Sequence, residues 1–558
     1  MLFLPWLLVV VIPADVVWAQ QTPFIREQQR LQERERALRE QLEQTPDVRL
    51  PTGESSVEGR LPDDETPCFP INHIELSDES GRFGWAVPAA DIPDDPVAGR
   101  CLGSRGISLV MARIQNAIIA RGYITTRVLA EAQDLTTGVL TLRVIPGRIR
   151  AIRFSDESDS RATVWNALPA APGDLLNLRD LEQALENWKR VPTADADIQI
   201  VPGEALGESD VVITWKQAFP LRLTLSVNDG GSESTGKYQN SVTVSGDHLL
   251  GLNDLFYLSV NRDLGGGQSG ERGTRGHTLY YSFPFGYWTF TATDSAHRYH
   301  QTVTGINQDY SYRGTSATQD IKLSRIVYRD AAHKSTVFLR GYLTRSRNFI
   351  DDTEIIVQRR RMAGWEAGFG HRAFLAQSVL DFELAYRRGT GAFAALKAPE
   401  DYFGEGTARP EILTTEVALM LPFQLFGQPL RYDGRWRAQW NHTPLVPQDR
   451  FSIGGRYTVR GFDGESVLMA ERGFLIRNDL SLPLSLPGQE IYVGIDHGRV
   501  GGRSADLLVG RSLTGAVVGW RGAYRNLSYD FFAGRPVSRP AFFPTDRTTA
   551  GFNLTLSL

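Results

Sequence analysis

The sequence predicts two small α/β modules followed by an all-β transmembrane barrel of about 16 antiparallel strands, with a plug helix at the N-terminus. Three observations carry this. From Leu221 to Leu558 apolar and polar residues alternate in segment after segment. Upstream, a strand, helix, strand, strand plan occurs twice between residues 68 and 217. Ahead of both lies a highly charged stretch with a narrow apolar stripe. A chain of 558 residues is too long for one core. No internal apolar run reaches the roughly 18 residues that a transmembrane helix needs. A net charge of -4 and a pI near 6.2 argue against a nucleic-acid binder.

Taken in order, residues 1–19 read as a signal peptide. The apolar run from Leu2 to Ile12 is followed by Val17-Trp18-Ala19, small-residue positions that suit cleavage after Ala19, although no Lys or Arg precedes the run. Export gives the two cysteines, Cys68 and Cys101, a meaning: in an oxidising compartment they predict a structural disulfide. A metal site would need helpers, and His73 is the only histidine nearby. The plug helix is assigned to residues 20–44. Phe24, Leu31 and Leu38 recur every seven residues and Leu42 extends the stripe, while Glu35/Arg39 and Arg36/Glu40 sit at supportive spacing. The residues themselves fit equally a solvated helix or short coiled coil and a plug lying in a wet lumen. Residues 45–67, rich in Pro and acids, form a linker.

The first module, residues 68–147, opens with a strand at 71–76. A helix follows, marked by Ile107, Val110, Ile114 and Ile118 and ending at Gly122, and then strands at 123–130 and 138–149. The second, residues 148–217, repeats the plan: a strand at 148–156, a helix on Leu178, Leu181, Leu185 and Trp188 capped by Asn177, and strands at 196–203 and 209–217. From 218 to 558 the texture is that of a barrel. In 221–228, Leu221, Leu223, Leu225 and Val227 alternate with Arg222, Thr224, Ser226 and Asn228. Short aromatic-flanked turns such as FPFGYW (283–288) alternate with long polar loops such as NRDLGGGQSGERGTRG (261–276). A closed barrel leaves no unpaired edge in lipid.

Two short segments stand out in the barrel: Val459-Arg460-Gly461-Phe462 in a glycine-rich loop, and Gly494-Ile495-Asp496-His497-Gly498 on a strand. Together with the two modules, and with PCFPINHIEL (67–76) and GKYQNSVTVSGDHLLGLNDLFYLS (236–259), they resemble the two-partner secretion transporters (TpsB, the haemolysin secretion/activation family) of the POTRA-barrel superfamily. The resemblance implies that the first segment is the tip of a long sixth extracellular loop that folds back into the barrel. It makes Asp496 the inward-facing partner of Arg460, a cation that needs an acid in a partly desolvated lumen. Gly494 and Gly498 then leave room for the guanidinium, and Phe462 packs as an anchor. It further implies a bacterial outer-membrane pore, monomeric and in contact with outer-membrane lipid, with its modules in the periplasm. These capture a secreted exoprotein (TpsA-like) in unfolded form, and the plug helix leaves the lumen as the cargo passes. Some relatives also activate a haemolysin. The rival reading is an assembly factor that inserts other barrels. No catalytic order, phosphate loop or metal signature is legible, so neither enzyme activity, cofactor, metal nor nucleic-acid partner is expected.

Overall fold

A computed structural model describes residues 15–43, 46–53, 59–79 and 81–558, with side chains from residue 25 onward. Residues 1–14 of the expected signal peptide lie outside the described residues, as does the side chain of Phe24. The first element is α1 (Asp15–Leu42), which starts ahead of the expected residue 20 and stops short of 44.

The first module is built from β1 (Phe69–Ile71), β2 (His73–Ser77), β3 (Arg100–Leu102), α2 (Ser104–Ala120), β4 (Arg127–Ala130) and β5 (Val139–Ile145). Its sheet has the order β2-β5-β4, with β2 and β5 parallel, and β1 pairs separately with β3. Val110, Ile114 and Ile118, the apolar stripe of α2, are fully buried with Ile71, Leu140 and Leu142. Cys101 lies on β3 and Cys68 just before β1, and the two form a disulfide. The N-terminus of α2 has no side-chain cap of its own. Instead Glu65, at the end of the linker, accepts from the backbone N–H groups of Gly103, Arg105 and Gly106. The strand expected at 123–130 forms only at Arg127–Ala130. Gly122, at φ +98, ends the helix in the left-handed region, and Tyr123 and Thr126 continue it as a turn.

The second module comprises β6 (Arg148–Phe154), α3 (Leu178–Lys189), β7 (Ala194–Pro202) and β8 (Glu208–Gln217), with sheet order β6-β8-β7. Asn177 caps α3 by accepting from Arg179 N–H. Leu178 N–H also donates to Gly122 O, so the end of α2 and the start of α3 are joined. Trp188 and Trp215 fill the core, which runs on into Leu255, Tyr257 and Tyr280 of the barrel. The module is thereby docked on the barrel's short turns: Asn166 donates to Leu252 O and Pro284 O, and Asn187 to Gly286 O.

The barrel closes with sixteen strands among the described residues. They are β9 (Leu221–Asn228), β10 (Tyr238–Asp247), β11 (Leu255–Gly265), β12 (Arg272–Phe285), β13 (Trp288–Thr304), β14 (Asp309–Arg329), β15 (His333–Ile350) and β16 (Arg360–Leu375). The circuit continues through β17 (Ser378–Thr390), β18 (Glu411–Leu425), β19 (Gln428–Asn441), β20 (Arg472–Pro483), β21 (Gln489–Gly501), β22 (Ser512–Tyr524), β23 (Leu527–Ser538) and β24 (Thr549–Ser557). All neighbours are antiparallel, and β24 returns to β9 through a short seam from Asn553↔Asn228 to Ser557↔Thr224. Helix α1 lies inside. Its charged face, which would repel a dry core, meets the polar inward side chains of the wall. Glu35 accepts from Ser295 Oγ, Glu43 from Tyr257 Oη, and Glu40 from Arg435 Nη1.

Candidate functional site

The loop between β19 and β20, residues 442–471, turns inward and forms a small hairpin, Phe451–Ile453 against Leu468–Ala470. Apolar contacts set its depth: Ile453, Val459, Phe462 and Leu468 are buried with Val500, Leu513 and Phe543. The Phe462 ring meets Phe543 edge to face at 5.8 Å between centroids. Gly461 has φ +88, and a Cβ there would stand 2.6 Å from Arg535 O, so only glycine lets the tip lie this close to the wall.

Arg460 projects from this tip between two strands. Its Nε donates to Asp496 Oδ2 at 2.7 Å and its Nη2 to Asp496 Oδ1 at 2.8 Å, a bidentate pair. Its backbone N–H adds a third bond to Asp496 Oδ2 at 3.0 Å. The far side of the guanidinium is held by Asp479 on β20. Arg460 is 5% exposed and Asp496 1%, so the cation and its acids are desolvated together. Gly494 makes the arrangement possible: a Cβ there would stand 2.6 Å from Asp479 Oδ1 and 2.8 Å from Arg460 Nη2. Gly498 does not make room for the guanidinium as expected: a Cβ there would press on Ile453 and Val459, so this glycine accommodates the loop's apolar side chains. His497 faces the other side of the strand and bonds Thr514.

Three partners were not read from the sequence. Asp479 is one. It follows Arg477 and precedes Ser481 on the inward face of β20, while Ile476, Leu480 and Leu482 face out; that alternation is the signal that could have found it. Asp479 also pairs with Arg521 of β22, which in turn reaches Glu490 and Ser481. Arg456 is the second. It pairs with Asp229 beyond β9 and donates to Phe552 O of β24, so the folded-in loop holds both sides of the seam. Arg30 of the helix is the third: its Nη2 donates to Gly464 O at 2.6 Å. Beside it Gln29 donates to Pro447 O, Arg450 O and Met469 Sδ.

The helix stripe divides between these surroundings. Leu31 is buried, Leu38 borders a lumen cavity, and Leu42 packs under the second module's core. The Glu35–Arg39 pair forms, but Glu40 is taken by Arg435 of the wall rather than by Arg36. Beside the helix the lumen keeps cavities of about 280 and 80 Å3. The larger is lined by Arg34, Leu38 and Gln41 of the helix and by Asn228 and Asn553 at the seam.

At the helix's lower end the chain is tied to both module and barrel. Arg329, at the end of β14, donates to Glu182, Gln183 and Glu186 of α3 and to Val48 O. Val48 and Leu50 N–H groups donate to Glu186 and Glu182 in turn, and Asp47 pairs with Lys334 and Arg372.

Comparison with known proteins places this geometry. The family model described as haemolysin secretion/activation protein ShlB/FhaC/HecB matches residues 207–522. A POTRA domain model matches residues 148–202, and a POTRA domain of the ShlB type matches 69–147. The chain is similar to the outer membrane transporter CdiB-2 of Burkholderia pseudomallei, with 37% identity over 97% of this chain and 95% of that protein. It is also similar to the hemolysin transporter protein HpmB of Proteus mirabilis, at 24% identity over 77% of this chain and 74% of that one. The solved structure of CdiB from Acinetobacter baumannii superposes with a TM-score of 0.82 at 30% identity, covering 98% of this chain and all of the other (100%).

Proposed function

The chain belongs to the haemolysin secretion/activation protein family and is an outer-membrane transporter of the two-partner secretion class, and on that premise we propose how it handles its cargo. The cargo is a large exoprotein that arrives unfolded in the periplasm. It docks on a module by adding a strand to an open sheet edge, for which β7 of the second module is available. Docking loosens the contacts of Asp47, Val48 and Leu50 with α3 and the barrel, α1 leaves the lumen, and the chain passes outward through the space the helix filled. Folding of the cargo outside supplies the drive. The observation that carries this reading is the way α1 is held. It fills the lumen through polar contacts that water or a passing chain can replace, while the barrel closes without it.

Arg460 and its two carboxylates fix the loop, so the loop's contacts with helix and seam keep their place while the lumen empties. The test is deletion of the gene, with quantitative proteomics of medium and outer membrane. The proposal expects one large exoprotein to vanish from the medium while other barrels keep their abundance. A joint fall of many barrels would instead make the protein an assembly factor.

A further inference from the structure

On the upper outer wall of β11–β16 the lipid-facing side changes character. The inward side is marked by Ser295, which bonds Glu35 of α1, and by Tyr257, which bonds Glu43 just beyond it, so the residues alternating with these along each strand face outward. Lower on that outward face stand Leu258, Val260, Leu279, Ile321 and Leu323, all exposed. Higher up, Arg262 of β11 lies directly opposite Arg275 of β12, and Arg275 opposite Arg298 of β13. The row continues through Thr315 of β14 to Arg347 of β15, and beside it Arg345 lies opposite Arg361 of β16. Like charges set directly opposite one another across strands are destabilising. Among the described residues Arg262, Arg275, Arg298 and Arg345 have no ion-pair or side-chain hydrogen-bond partner, and all four are exposed. The outward carboxylate nearby, Asp294, is already shared by His277 and Gln319. Arg347 has Glu354 near it, but Arg262, Arg275 and Arg298 repel one another with no acid of their own and call for an external anion.

Its height says where that anion is. Phe285 and Trp288 flank a turn that docks on the second module, which is the periplasmic side. From that turn to Arg275 and to Arg298 the tilted strands climb about 25 Å, the height of the apolar band of such a barrel. The arginines therefore stand at the headgroups of the outer leaflet. Guanidinium forks match phosphate oxygens in pairs. Three of them on adjacent strands span about 10 Å, wider than one phosphodiester and suited to a headgroup that carries two phosphates. We propose that the row formed by Arg262, Arg275 and Arg298 binds the phosphates of a phosphorylated glycolipid of the outer leaflet, whose acyl chains lie on the apolar wall beneath.

The test uses the full-length protein, freed of lipid in detergent and titrated with diphosphoryl lipid A, phosphatidylglycerol or inorganic phosphate while bound lipid is followed by native mass spectrometry. Diphosphoryl lipid A is expected to bind tightest. The triple variant Arg262→Gln, Arg275→Gln, Arg298→Gln is expected to bind it about a hundredfold more weakly. Should the triple variant not fold, Arg275→Gln alone weakens binding about fivefold, and Arg499→Gln on the far wall leaves it unchanged. Unchanged binding by the row variants would overturn the proposal. So would phosphatidylglycerol binding as tightly as lipid A, which marks a general anionic surface, or inorganic phosphate doing so, which marks a free-ion site.

Discussion

Arg460 is the residue on which the loop's position turns, because its charge is buried between Asp496 and Asp479 and it supplies the bidentate pair and the shortest contacts that these carboxylates make. Truncating it in Arg460→Ala leaves Asp496 almost without solvent and costs the docked loop about 3–5 kcal/mol. The barrel's strand ladders do not involve it, so assembly, read as heat-modifiable mobility, is expected to stay intact while secretion falls at least tenfold. Arg460→Lys is expected to recover little, since an ammonium cannot bond Asp496 bidentately and reach Asp479 as well. Normal secretion by Arg460→Ala would remove the loop from the mechanism. The pair was an expectation carried by the family resemblance of the two short motifs, which holds both residues, and not by the residues alone. Asp479 was not, since its role depends on β20 being placed beside β21 with that residue facing in. Nor was the fate of Glu40: by spacing alone Arg36 is as good a partner as Arg435, and only the wall around the helix decides between them.

At the scale of elements, the first module carries two devices that its small core needs. The disulfide links positions separated by 33 residues, which stabilises the folded module by about 3–4 kcal/mol through the chain entropy removed from the unfolded state. Cys68→Ser with Cys101→Ser is expected to lower that module's melting temperature without disturbing the barrel, as differential scanning calorimetry would read. The second device is Glu65 on the N-terminus of α2. Burial pushes its carboxyl up, but the N–H groups of Gly103, Gly106 and Arg105 outweigh this and hold it below its ordinary range. Asp95 is lowered too: burial raises it, and Arg113 and Leu61 N–H more than offset that. A depressed acid stabilises above its unfolded pKa and loses that contribution as pH falls through the folded one. The module is therefore expected to hold its protease resistance from neutral pH to about 4.5 and lose it below. Glu65→Gln is expected to weaken that dependence, and an unchanged pH profile would discount the cap. Periodicity exposed α2 and α3 because their stripes are long. It could not show β1 and β3, which are three residues each and have no period to detect, nor the turn after Gly122 that shortens β4.

For the molecule as a whole, the barrel was the most legible part, since its alternation is repeated sixteen times and a single misread strand does not change the class. What the sequence left open was whether α1 is solvated or a plug, because the charged face that suits water also suits a polar lumen. The structure seats it there and holds it at its middle, by the loop through Arg30 and Gln29, and beyond its C-terminal end, by the Arg329 cluster through Val48. Arg329→Ala leaves buried Glu182 to Arg179 and Glu186 to Lys334 and removes the bond to Val48 O, and is expected to loosen the lower end, raising the frequency of open events in planar-bilayer recordings. The central claim is that this helix must leave for cargo to pass. Gln29→Cys with Met469→Cys, bridged in living cells by a photocleavable bifunctional thiol reagent, tests it most directly, because the native cysteines are already paired and silent. Secretion is expected to stop on bridging and to resume after illumination, while either single variant secretes throughout. Full secretion with the helix still bridged to the loop would contradict it.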